Sequence, residues 1–232
     1  MDTLGERYTA IMARIADAAR ESGRLPGAVR LVAVSKGHAA DAVARLAAYG
    51  QQAFGENRAQ EGTAKIAAAP SGLEWHFLGP VQRNKARLII ENFQWLHALE
   101  DLDAASALSR HAAAAGTSLR VLIEVNVTGD PRKHGLAPAA LPAFLEAYCA
   151  RPRPGLVLSG LMTIAAHHGP EAAVRQTFAR LRELAGKGRQ DFGLAGFDEL
   201  SMGMSDDYPW AIAEGATIVR IGRALFGARD AG

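Results

Sequence analysis

Short β-rich runs alternate with Ala-rich amphipathic stretches along the whole chain. The runs with strand character are LVAVS (31–35), QAFGE (52–56), EWHFLG (74–79), WLHAL (95–99), RVLIEVNV (120–127), LVLSGLMTI (156–164), ELSMGM (199–204) and TIVRIG (217–222). Between them lie stretches with apolar positions at helical spacing, such as HAADAVARLAAYG (38–50), AASALSRHAAAAG (104–116) and PEAAVRQTFARLRELAG (170–186). Each ends at a glycine, as helix C-termini commonly do. Strands alternating with helices imply parallel βαβ units. Eight strands in 232 residues predict a single domain over 1–232, a closed (β/α)8 barrel of TIM type. The alternative is an open doubly wound sheet. That fold wants a Gly-rich turn straight after its first strand, and SKGHAAD (35–41) matches the fingerprint poorly. The first 25 residues place charged and apolar positions at helical spacing and predict an extra helix that caps or flanks the barrel.

Composition narrows the function classes. Hydrophobic residues make up 49% of the chain and charged residues 22%, so a core of ordinary size needs no staples. The single cysteine, Cys149, excludes an intrachain disulfide and a cysteine cluster for a metal; within AFLEAYCARP it reads as a buried, inert thiol. Net charge is +2 and the basic residues are scattered. The densest group, Arg83 to Arg87, reads as the solvated start of a helix, so no nucleic-acid partner is expected. The N-terminal stretch lacks the apolar segment of a signal peptide, and no apolar run approaches the roughly 18 residues of a membrane span. A cytoplasmic address is therefore expected. His167–His168 has no carboxylate at ligand spacing and reads as loop. Trp75, Trp95 and Trp210 read as core or rim packing.

Barrel enzymes carry their sites at the C-terminal ends of the strands. The residues that fall there are Lys36, Glu56, Asn57, His76, Gly79, Asn126, Met162, Thr163, the SMGMS turn (201–205), Arg220 and Gly222. A lysine after AVS points into the barrel mouth, where burial disfavours its charge and prepares it for Schiff-base chemistry; position alone fits equally a lysine that snorkels to solvent. SMGMSDD (201–207) and RIGRALFG (220–227) each turn a late strand into a helix through glycine, and the loops after the last two strands commonly hold a phosphate in barrels. Ser201 and Ser205 add hydroxyl donors. In TIVRIG the alternation places Ile218, Arg220 and Gly222 on one face. If Gly222 meets a phosphate, Arg220 points inward as well. The ring nitrogen of a pyridoxal 5′-phosphate (PLP) is one candidate partner for it, and a structural salt bridge is another.

These segments resemble the PLP homeostasis protein family and, more distantly, the barrel domain of fold-type III alanine racemases. The resemblance runs from about Leu31 to Arg229 and rests on LVAVSK, FGENRAQE (54–61), WHFLGPVQRNK (75–85), VNVTGDPRKHG (125–135), SGLMTI (159–164), LSMGMSDD (200–207) and VRIGRALFGAR (219–229), all in order. It implies PLP held as a Schiff base on Lys36. Asn57 and His76 would line the pocket around the ring, and Met162 would pack against it. Ser201 and the amides around Met202, Gly222 and Arg223 would hold the phosphate, and Arg220 would face the pyridine nitrogen.

Three positions depart from the family pattern. SKGH lacks a hydroxyl and a second cation beside Lys36. Arg58 stands where the family commonly has Tyr. Arg223 stands where Thr or Ser often donates to the phosphate. The resemblance implies buffering or delivery of PLP, with PLP-dependent apoenzymes as partners. The alternative is an amino-acid racemase or decarboxylase. Those enzymes carry a second, β-rich domain that supplies a second acid–base group, for which the chain leaves no room after its last strand. Racemisation needs two opposed proton carriers, and His76 is the one candidate besides Lys36. A monomer is expected.

Overall fold

The computed structural model describes residues 3–167 and 169–227. His168 and the residues after Gly227, including the end of the RIGRALFGAR segment, lie outside the described residues. Eight strands pair in parallel in chain order: β1 (Arg30–Val34), β2 (Ala53–Glu56), β3 (Glu74–Phe77), β4 (Trp95–Leu99), β5 (Leu119–Glu124), β6 (Leu156–Met162), β7 (Glu199–Ser201) and β8 (Ile218–Ile221). β8 returns to β1, with Val32 opposite Arg220, and closes a TIM-type barrel. Outside lie α1 (Thr3–Glu21), α2 (Ala40–Ala48), α3 (Ala59–Ala68), α4 (Ala86–Asn92), α5 (Leu102–Ala115), α6 (Leu141–Cys149), α7 (Glu171–Phe192), α8 (Tyr208–Ala213) and α9 (Arg223–Phe226). The predicted extra helix is α1, which flanks the barrel. Its Arg7 Nε donates to the Leu225 carbonyl at 2.7 Å, tying the first helix to the last.

Local chemistry sets the boundaries. Asp101 caps α5, its carboxylate accepting from the amides of Asp103 and Ala104 at 3.1 Å each, and Gly116 ends the helix with φ 63°. α7 does not stop at Gly186 as the pattern predicts. It runs on to Phe192 and ends at Gly193, φ 60°. Gly188 lies on the buried face of that extension, where an added Cβ would come within 3.0 Å of Leu145. Cys149 is exposed, not buried. The inward set of α6 is Leu141, Phe144, Leu145 and Tyr148, so position 149 turns outward.

Two apolar layers follow. The larger lies between strands and helices and includes Phe54, Leu108, Phe178, Leu181 and Phe197. Full burial of side chains of this size stabilises by about 1.5–3 kcal/mol each. The smaller fills the barrel interior with Val32, Ala53, Trp95, Ala98, Leu122, Met162 and Ile218. The interior also holds polar side chains: His76, His97, Ser201 and Arg220 are all buried there. A branched aliphatic filling is usual for such barrels, so this polar column calls for an explanation.

Candidate functional site at the C-terminal mouth of the barrel

A cavity of about 550 Å³ opens at the C-terminal ends of the strands. Lys36, Asn57, Met162, Arg220, Gly222 and Arg223 all line it, so six of the nine residues singled out from sequence converge there. Lys36 follows β1 in a tight turn. The His38 amide donates to the Ser35 carbonyl at 3.0 Å, and Gly37 takes φ 75°. A positive φ at that turn position suits glycine, which accounts for SKG here. Beneath the turn, Lys65 from α3 donates to the Ser35 carbonyl at 2.7 Å and pairs with Glu56, while Ser35 Oγ donates to Glu56 Oε1 at 2.6 Å. This buried cluster fixes the chain immediately before Lys36.

Arg220 reaches the cavity from β8. It is 6% exposed; Nη1 donates to Ser201 Oγ at 2.5 Å and Nη2 to the Thr163 carbonyl at 2.9 Å. Burial lowers its pKa to about 10, with Glu124 and Asp207 pulling the other way, so it stays charged at neutral pH. Ile218 belongs to the inner cluster, while Val219 and Ile221 face the helices, so the inward face of β8 is the one carrying Arg220.

The turns after β7 and β8 meet at one wall. Gly203 has φ 94°, and its carbonyl accepts from the Arg220 amide at 3.0 Å. The Met204 amide donates to Asp207 at 2.6 Å. Ser205 lines the cavity, its hydroxyl accepting from the Ala224 amide at 3.2 Å. Arg223 lines the cavity too and pairs with Asp206 at 2.6 Å on the exposed side. On the opposite wall Gly79 permits close approach to Asn57: a Cβ there would lie 2.1 Å from the Asn57 carbonyl oxygen.

His76, Ser201 and Met202 do not line the cavity. His76 is fully buried lower in the barrel, its Nε2 2.9 Å from Glu74 and its Nδ1 2.9 Å from His97 Nε2. Ser201 is engaged by Arg220 above and by His97 Nδ1 at 2.8 Å below. Met202 packs in the outer core, its amide donating to the Ile218 carbonyl at 3.1 Å. Ser205, four residues further on, is the serine of SMGMS that reaches the cavity.

Leu78 and Asp207 line the cavity with Lys36 and were not singled out from sequence; Trp210, read from sequence as packing, lines it too. A smaller pocket beside it is lined by Glu124, Asn126, Lys133 and His134 among others. Burial and then Glu100 raise the Glu124 pKa to about 7, against Arg220 and His134. Its place inside the apolar run RVLIEVNV was the available signal. A carboxylate closing an apolar strand inside a barrel is expensive unless used.

The fold and the site define a class. Residues 8–230 match the family model described as alanine racemase, N-terminal domain. The chain is 48% identical over 233 residues to the pyridoxal phosphate homeostasis protein of Pseudomonas aeruginosa, covering 100% of this chain and 98% of that protein. To the pyridoxal phosphate homeostasis protein of Escherichia coli K12 it is 40% identical over 241 residues, covering 99% and 98%. The chain belongs to the pyridoxal phosphate homeostasis protein family. Among solved structures, PipY of Synechococcus elongatus with PLP bound superposes with a TM-score of 0.81 at 36% identity, covering 97% of this chain and 100% of that one.

Proposed function

We propose that the protein binds PLP in the mouth cavity, holds it covalently as a Schiff base on Lys36, and buffers the cofactor or delivers it to PLP-dependent apoenzymes. The observation that carries this reading is the convergence of Lys36 and Arg220, from adjacent strands β1 and β8, on one cavity with Gly222 between them in the fold. The donor set fits the cofactor. Lys36 offers an amine, Met162 an apolar surface for the ring, and Ser205, Gly222 and Arg223 a hydroxyl, a backbone without a side chain and a cation for the phosphate. The relatives named for PLP homeostasis and the PLP-bound PipY structure support the same reading.

When bound, the cofactor supplies an aldehyde that condenses reversibly with amines. The protein's residues set how it is held. Arg220 has no acceptor atom and keeps its charge, so it would donate to the pyridine nitrogen and could not take a proton from it. A ring left unprotonated is a poor electron sink, which favours holding over turnover. His76, the one residue weighed as a second acid–base group, has both ring nitrogens engaged inside the barrel and no place in the cavity wall.

The test is spectroscopic and functional. Purified protein with PLP should absorb in the visible, and borohydride should fix a phosphopyridoxyl group on Lys36. PLP-loaded protein should restore activity to a PLP-dependent apoenzyme. Borohydride labelling on another lysine would overturn the assignment. Turnover of alanine enantiomers at roughly 1 s⁻¹ or faster would favour the racemase instead.

A further inference from the structure

The polar column inside the barrel is a directed hydrogen-bond relay. Arg220 is a donor only, so Ser201 Oγ must accept from its Nη1 at 2.5 Å. That leaves the one hydroxyl proton of Ser201 free for its other partner, His97 Nδ1, at 2.8 Å. Both histidines are fully buried, and burial lowers the pKa of each, so each carries a single proton. With Nδ1 accepting, the proton of His97 sits on Nε2 and is donated to His76 Nδ1 at 2.9 Å. His76 is thereby left with its own proton on Nε2, donated to Glu74 Oε1 at 2.9 Å. With both rings neutral and Glu74 a carboxylate, this is the one assignment of protons that gives each of the four bonds a donor and an acceptor.

The relay spans the barrel from the C-terminal cavity to the first residue of β3. Glu74 is half-buried there, and its bond from His76 holds its pKa down at about 2, so it ends the chain as a carboxylate. The column is clamped from the sides. His76 stacks on Trp95 with ring centres 5.3 Å apart, and the guanidinium groups of Arg30 and Arg120 sit over the same indole at 5.0 and 5.1 Å. Glu199 from β7 faces Arg30 at 3.9 Å.

We propose that His97, which does not line the mouth cavity, is a positioning residue for Arg220: by accepting from Ser201 it orients that hydroxyl's lone pair toward the guanidinium and so aims Arg220 at the cavity. The inference rests on the reading of that cavity as a PLP site. It makes the buried histidines parts of the cofactor-facing apparatus, although neither reaches the cofactor.

Two measurements test it. In ¹⁵N-histidine NMR of the full-length protein without PLP, His97 and His76 should both appear as neutral rings protonated at Nε2. A proton on His97 Nδ1 would overturn the relay. The second uses a pair of variants of matched polarity. His97→Asn places an amide oxygen where Nδ1 accepts, and His97→Gln places an amide nitrogen where Nε2 donates. Each breaks one buried bond, so a purely structural role predicts equal effects. The relay predicts that His97→Asn keeps PLP affinity within about threefold and keeps the visible band of the bound cofactor, while His97→Gln and Ser201→Ala weaken binding about tenfold and shift that band. Equal affinity and spectra for the Asn and Gln variants would reduce His97 to filler and sink the proposal. If the unaltered protein bound no PLP, the reading of the cavity would fall, and the proposed role of His97 with it. The NMR tautomers would then show whether the hydrogen-bond column itself exists.

Discussion

Ser35 Oγ and Glu56 Oε1 lie 2.6 Å apart in a fully buried contact, one residue before Lys36. The carboxylate is balanced by Lys65, whose side chain is only 5% exposed. Removing one partner of a buried pair leaves an uncompensated charge. Lys65→Met should therefore destabilise the protein by about 3–5 kcal/mol, lowering Tm by roughly 6–20 °C. The double variant Lys65→Met, Glu56→Gln should recover much of that loss in urea denaturation. A single variant as stable as the unaltered protein would show that the cluster does not anchor the turn.

The proposed phosphate wall of the cavity gives a prediction on ligand choice. Hydrogen bonds to charged groups contribute on the order of 1.5–3 kcal/mol each, so Ser205→Ala should weaken PLP binding roughly tenfold or more. Pyridoxal, lacking the phosphate, should bind the unaltered protein poorly. Both are read by fluorescence titration. Equal affinities for PLP and pyridoxal would place the phosphate elsewhere.

Glu124 predicts a pH dependence of stability. Its pKa is raised from the ordinary carboxylate value to about 7. The folded state thus binds this proton more tightly than the unfolded chain does. Its contribution is favourable below the unfolded pKa of about 4.3 and is lost as pH rises toward and through 7. Glu124→Gln removes the ionisation. Relative to the unaltered protein it should gain stability with rising pH, by up to about 3 kcal/mol at pH 8 and little at pH 4. Urea midpoints at pH 5, 6, 7 and 8 check this; a pH-independent difference would contradict it.

Gly79 predicts a coupling between backbone space and the cavity. An added methyl would press on the Asn57 carbonyl at 2.1 Å. Gly79→Ala should lower stability by about 1–3 kcal/mol, as overpacking does. It should also weaken PLP binding by displacing Asn57. Gly72→Ala offers a control, since Gly72 has open space around its Cβ position, though its φ of 83° adds local strain. Loss of PLP affinity in the control but not in Gly79→Ala would refute the coupling.

All eight strands were legible from alternation and length, because barrel strands buried on both faces read as apolar runs. Their N-terminal limits agree with the pattern within a residue. Four of the C-terminal limits do not. The runs ending at Gly79, Val127, Ile164 and Met204 leave the ladder at Phe77, Glu124, Met162 and Ser201. The apolar pattern continues past these points because the departing residues still line the cavity or pack under it. Lys36, Arg220 and Gly222 were legible for the same reason, being polar or small residues at strand ends. His97 was not. It lies mid-strand in WLHAL, and a single histidine on an apolar face gives no hint of the partners that β3 and β7 bring to it. Ser201 was misplaced because the serines of SMGMS look alike in sequence, whereas β7 ends at the first and only the second clears the barrel wall.

The barrel closes by pairing its first strand with its last, and Lys36 and Arg220 stand on either side of that seam. Synthesis proceeds from the N-terminus, so the lysine leaves the ribosome long before its counterpart exists. A growing chain that has not yet reached Ile218 has no β8, no arginine in the mouth, and neither Gly222 nor Arg223 in the cavity wall. On the proposed reading of the cavity, the seam that completes the fold is the same one that creates the capacity to bind.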